Sequence, residues 1–174
     1  MVDIYLIIWL FPLIFMFHDF EEIIFIKPWF KKNRERIKKR LPKISKILLS
    51  YTDVLTTSSF AIGVMGMYIL ICAVTITAYI TGWHYIWFGL FFVFTVHLFL
   101  HCLPCFIFKS YVPASVTSVI CLPICCYILV LFLQLHQISL DRATLYIAIG
   151  FVLMAVTRIA MQILMKEFAT KQMS

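Results

Sequence analysis

His18, Glu21 and Glu22 sit at the end of one oily run, and His97 and His101 sit inside another. Imidazoles and carboxylates are the side chains that hold divalent metals and that move protons. The spacings give them direction. His18 and Glu21 are i,i+3 and His18 and Glu22 are i,i+4, so a helix would put all three on one face, with Asp19 pointing elsewhere. His97 and His101 are i,i+4 and share a second face. Turned together, the two faces would surround one point with imidazoles and carboxylates. Such a set suits zinc or iron, and two carboxylates with three histidines could also hold a pair of metals, as in di-iron bundles.

Each residue also has a plainer reading. Glu21 and Glu22 lie five and six residues from Lys27, within snorkelling reach of the interface. A lone intramembrane histidine is more often a satisfied core residue than a ligand; a pair at i,i+4 in TVHLFLHCL is harder to explain that way, because polar groups inside a span are costly and usually functional. Arg158, in MAVTRIAMQ, could pair with Glu21 or Glu22, or hold an anionic substrate group or a developing oxyanion. Tyr111 and Thr117 could touch substrate, although a tyrosine there is commonly an interface anchor. Thr52 or Asp53 is expected to cap the second span. Cys102-Leu103-Pro104-Cys105 follows His101 directly, but no second C-x-x-C exists, and all six cysteines fall in apolar segments, where free thiols are the default.

The segments that must position these residues are hydrophobic throughout. Of 174 residues 63% are hydrophobic and 13% charged, and the mean hydropathy is +1.00. A soluble domain carries about 25% charged residues. Length and composition leave room for about five spans of roughly 20 residues. The expectation is therefore an all-α, polytopic bundle forming a single membrane domain, with spans near residues 4–26, 54–80, 85–108, 111–135 and 143–165, and Pro12 kinking the first. A polar loop, 136–142, precedes the last span, and the tail after it is short.

Ten of the fifteen Lys and Arg residues crowd into positions 27–46, against one acid, Glu35. In a membrane protein such a run reads as a cytoplasmic loop rather than a nucleic-acid patch. Residues 27–50 are expected to form that loop, with 31–47 lying on the membrane as an amphipathic helix drawn to anionic lipid. This orientation places the N-terminus outside and the C-terminus in the cytoplasm, in a cytoplasmic membrane. At about 1.5 Å per residue, His18 lies roughly 21 Å down the first span, Glu21 and Glu22 roughly 26 Å. On the third span His97 lies roughly 18 Å down and His101 roughly 24 Å. The two clusters share a depth.

His18-x-x-Glu21-Glu22, preceded by Trp9-Leu10-x-Pro12, resembles the motif of the HXXEE family of small bacterial membrane proteins. His97-x-x-x-His101 and Tyr111-x-Pro113-x3-Thr117 are similar to that family's second region. Where members carry Pro-Gly after the tyrosine, this chain has Pro113-Ala114. The resemblance implies a metal-type site without naming a reaction. A looser similarity links Glu21-Glu22 and the histidines to CAAX-type intramembrane proteases; the arginine expected four positions after the second glutamate is replaced by Ile26, and Arg158 could stand in for it.

The leading expectation is a metal-dependent membrane enzyme. His18, His97, His101 and one glutamate, Glu22 in the set as drawn, would hold zinc or iron, and the other glutamate would act as general base on a metal-bound water. Hydrolysis of a lipid, prenyl group or membrane-embedded peptide is the first choice, di-metal oxidation the weaker one. The alternatives are a metal- or proton-handling transport or binding protein, with a homodimer supplying the symmetry that one chain lacks, and an accessory or immunity-type subunit in which the polar cluster is structural glue.

Overall fold

A computed structural model describes residues 4–136 and 138–173, with the backbone alone at residues 136, 172 and 173. All the described elements are helices: α1 (Ile4–Lys32), α2 (Arg34–Arg40), α3 (Ser45–Val54), α4 (Thr57–Thr81), α5 (Tyr85–Phe108), α6 (Ser115–His136) and α7 (Leu140–Met173). Five of them, α1, α4, α5, α6 and α7, are long and apolar enough to cross a membrane. The protein is an all-α, multi-pass bundle. Gln137 of the expected 136–142 loop, and Ser174 of the tail, lie outside the described residues.

Several expected boundaries move. The first helix does not end at residue 26 but continues to Lys32. The basic stretch is not one helix lying on the membrane. It folds into α2 and α3, which dock on the bundle: Ile37 and Leu49 pack with Phe108 in a small second core. The fourth span begins at Ser115, not 111, and the last runs on to Met173. Neither Thr52 nor Asp53 caps α4. Thr56 does, through a capping box with Ser59, and the Asp53 carboxylate instead takes a bidentate pair from Arg34 at 2.5 and 2.8 Å, which holds that acid below its ordinary pKa.

The basic residues also close helix ends. Carbonyls at a helix C-terminus lack partners and carry partial negative charge. Lys27 donates to the Leu55 carbonyl just past α3, and Arg36 donates to the Phe108 carbonyl at the end of α5 and to Ser110 Oγ at 2.9 Å. The run reads as membrane-surface charge, yet part of it ties the end of the bundle together.

The main core is aromatic. Phe11, Trp87, Phe91, Phe94 and Phe132 are fully buried; Trp87 stacks on Phe91, and Phe11 meets Trp87 edge-on. α5 and α7 approach very closely at two glycines: a Cβ on Gly89 would fall 2.0 Å from the Tyr146 carbonyl oxygen. Pro12 removes the N–H that would bond the Ile8 carbonyl one turn back. Trp87 replaces it, donating its indole N–H to that carbonyl at 3.2 Å. A break in one helix is thus repaired by a side chain of another.

This repair sets a test. Trp87→Phe leaves a buried carbonyl unpaired and is expected to cost about 1–3 kcal/mol in reversible unfolding. In a Pro12→Ala background the alanine N–H can serve Ile8, so the cost of Trp87→Phe should shrink by about 1 kcal/mol. An equal cost in both backgrounds would show that the indole bond does not fill the proline gap.

Candidate functional site

α1 supplies His18, Asp19, Glu21 and Glu22, all buried; α5 supplies His97 and His101. The expected meeting of the two helices occurs. The His18 ring lies 5.5 Å from that of His97 and 5.1 Å from that of His101, centre to centre. One ring nitrogen from each of the three lies within 4.8 Å of the others. His97 Nε2 and His101 Nε2 are 3.0 Å apart. Two lone pairs cannot face each other at that distance unless a proton or a cation stands between them. Glu22 Oε1 lies 3.4 Å from His101 Nε2. Ligand atoms about 2.1 Å from a tetrahedral ion are separated by roughly 3.4 Å, so small adjustments would bring this group into a metal's first shell.

The two glutamates part company. Glu21 does not face the imidazoles but reaches the N-terminus of α6. Its Oε2 accepts from the Thr117 amide at 2.8 Å and the Thr117 hydroxyl at 2.6 Å, and its Oε1 accepts from the Tyr111 hydroxyl at 2.8 Å. α6 needs this. Ala114, at its N-cap, has no side-chain oxygen to offer, and a carboxylate is favoured at the positive end of a helix. Tyr111 and Thr117, expected at the substrate, instead hold Glu21, and neither lines the neighbouring cavity. Burial, then the bond to Glu21, push the Tyr111 phenol up, so it stays a donor.

Thr117 also fixes the tautomer of His18. Its single hydroxyl proton goes to Glu21, so its oxygen must accept from His18 Nδ1 at 3.1 Å. Nδ1 therefore carries the ring proton and Nε2 carries a lone pair. His18 Nε2 is fully buried and has no hydrogen-bond partner. Leaving such an acceptor unsatisfied is costly. A cation between the three rings would satisfy it, and Glu21–Thr117–His18 has the form of the outer-shell relays that orient metal-bound imidazoles.

Beside the cluster lies a cavity of about 510 Å³, lined by residues of α1, α3, α4, α5 and α7, among them Asp19, Glu22, His97, His101 and Arg158. Arg158 makes no ion pair within 4 Å with Glu21 or Glu22; it is exposed at the cavity. Asp19 does not point away from the site. It faces the same cavity, 5% exposed, and its Oδ2 lacks a partner. Its i,i+3 relation to Glu22 was the signal that could have placed it there. Ser118, whose Oγ lies 3.5 Å from His18 Nδ1, was also missed. Among the described residues no cysteine joins the histidines, and the cysteines are free.

Ala114 has φ +70°, a conformation that favours glycine. This is the position at which the resemblance called for Pro-Gly. Its burial, at 0% exposure, leaves no room for a larger residue.

Fold and site together define a polytopic membrane protein with a three-histidine cluster, His18 buried and His97 and His101 half-buried, backed by acids. Residues 9–128 match a family described as "Protein of unknown function with HXXEE motif". The chain belongs to that HXXEE family. No curated protein and no solved structure matches it.

If the three imidazoles hold an ion and Thr117 orients His18 toward it, Thr117→Val should weaken that binding about 10- to 100-fold while leaving the helical content intact. Competition against a zinc chelator measures this, and an unchanged affinity would remove Thr117 from the site.

Proposed function

We propose that this protein is a metal-dependent membrane hydrolase, with His18, His97 and His101 holding a zinc or iron ion and Glu22 acting as general base. The observation that carries the reading is the orphaned, buried Nε2 of His18, aimed with two other imidazoles at one point. Three protein ligands and an open position are the pattern of catalytic zinc sites. An ion held there would supply Lewis acidity to a water or a carbonyl group. Glu22 lines the cavity, whereas both oxygens of Glu21 are occupied, so Glu22 is the glutamate able to take a proton from an attacking water. Asp19 is a second carboxylate on the same wall. Arg158, across the cavity, offers charge to an anionic group or oxyanion.

The substrate reaches this depth from the lipid phase. In this reading the basic residues of α2 and α3 would face the cytoplasm and meet anionic lipid there, with the N-terminus outside and the C-terminus inside a cytoplasmic membrane. A second reading is proton or metal transport, favoured by the 3.0 Å contact between His97 and His101, which would share a proton when no ion is bound.

Metal analysis of the purified protein separates these readings from a purely structural role. About one equivalent of zinc or iron is expected in the wild type, lost in His18→Ala and His97→Ala. Glu22→Gln should retain the ion and lose function in a cell-based complementation assay by about 100-fold or more, the usual loss when a general base is removed. Metal-free wild-type protein would sink the proposal, and full function in Glu22→Gln would remove the base.

A further inference from the structure

The ionisable residues that line the cavity lie toward its basic end, where Ile26, Phe30, Leu48 and Met165 line it as well. On each of the four long helices that line it, α1, α4, α5 and α7, the lining residues nearer the middle of the bundle are apolar: Phe15, Val64 and Met67, Phe94, and Met154. One turn toward the basic end come Asp19, His97 and Arg158, and beyond them Glu22, His101 and Lys27. Tyr51 and Thr52 of α3, with Leu55 just past it, close the basic end. Its volume of about 510 Å³ lies in the range of ligand pockets and, at roughly 30 Å³ per water-sized group, has room for about 15 to 20 methylenes.

Leu100 of α5 and Arg158 of α7 both line this cavity and both are exposed, although α5 and α7 are in tight contact nearer the other end, at Gly89 and Gly150. Arg158 is thus an exposed charge on a helix long and apolar enough to cross a membrane. An arginine there is expensive in hydrocarbon and calls for an anion. Among the described residues no carboxylate oxygen lies within 4 Å of it.

We propose that the cavity binds a single-chain anionic amphiphile, its chain against Phe15, Met67 and Phe94 and its carboxylate or phosphate head on Arg158, with Lys27 nearby. The assignment deepens the hydrolase reading and rests on it, because Glu22, turned to the water it would deprotonate, leaves Arg158 free for the ligand. It also positions the reaction: the histidine cluster lies level with the junction of head and chain, so the bond presented to Glu22 is one close to the head group. A sterol or other neutral lipid would leave Arg158 uncompensated, and a peptide would need backbone hydrogen-bond partners along the apolar end.

The test uses the full-length protein in detergent, with zinc and iron content measured on each sample, and compares hexadecanoate, hexadecyl phosphate and hexadecanol in competition against labelled hexadecanoate. At least one anionic probe should bind about tenfold or more tightly than the alcohol, as one charge-assisted head-group contact would give. The better of the two anions identifies the source, a fatty acid or a phosphorylated chain. Arg158→Gln should abolish the preference without changing metal content, and Arg158→Lys should keep part of it. Hexadecanol binding as tightly as both anions overturns the proposal from the wild type alone, whatever the variants do. So does a preference that survives in Arg158→Gln. A metal-loaded protein without head-group preference ends only this inference, whereas a protein free of both zinc and iron ends the hydrolase reading on which it rests.

Discussion

The carboxylate of Glu21 at the N-terminus of α6 is the contact on which the site depends. It joins α1 to α6 at the depth where both carry polar groups, and it satisfies the Thr117 amide, which its own helix cannot. It also uses up the Thr117 hydroxyl proton, and so sets the proton on His18. Without it α6 would begin at an alanine with φ +70° and an uncapped first turn. The loop before α6 is held from other directions as well: Trp29 donates to the Tyr111 carbonyl at 2.9 Å, and Arg36 grips the Phe108 carbonyl. The residues around the histidines are thus held by backbone anchors, the arrangement that a site needing sub-ångström placement requires.

Above the histidines the packing changes character. Phe94 touches the ring of His18 edge-on at 6.0 Å and lies nearly parallel to that of His97 at 6.3 Å, and beyond it the core is aromatic up to Trp87. Proline placement matters on both sides of this layer. Pro12 frees the Ile8 carbonyl, which Trp87 takes up; Pro104, itself lining the cavity, deprives the Leu100 carbonyl of its usual donor. Breaks in a membrane helix are tolerated where another group or a cavity meets the freed carbonyl.

Much of this was legible in the sequence because two periodicities carry it. Runs of apolar residues gave five spans, and i,i+4 spacing gave the shared face of His97 and His101. Depth counting paired that face with His18. What was not legible came from long-range geometry. Nothing local to residues 27–46 says that Ile37 will be buried under Phe108, or that Arg36 will close α5 rather than face lipid. The cap of α4 moved to Thr56 because Asp53 had a partner nineteen residues away, Arg34. Thr117 and Tyr111 were singled out correctly as polar residues with a task, but the task is to hold a carboxylate. Asp19 was set aside by taking His18 as the centre of the face, whereas the cavity is lined by the neighbouring face of Phe15, Asp19, Glu22 and Ile26.

The same helical arithmetic explains why the motif has two adjacent glutamates. At about 100° per residue, Glu21 lies roughly 60° to one side of His18 and Glu22 roughly 40° to the other. A single carboxylate could serve only one flank. With two, one turns toward α6 and fixes the threonine that orients the histidine, and the other turns toward α5 and the cavity. Asp19, roughly 100° from His18 on the side of Glu22, is carried to the cavity with it. Exchanging the two roles is not open to the chain, since rotating α1 far enough to bring Glu21 to the cavity would carry His18 Nδ1 away from Thr117 and leave α6 uncapped. The division of labour between the acids follows from their places on one helix.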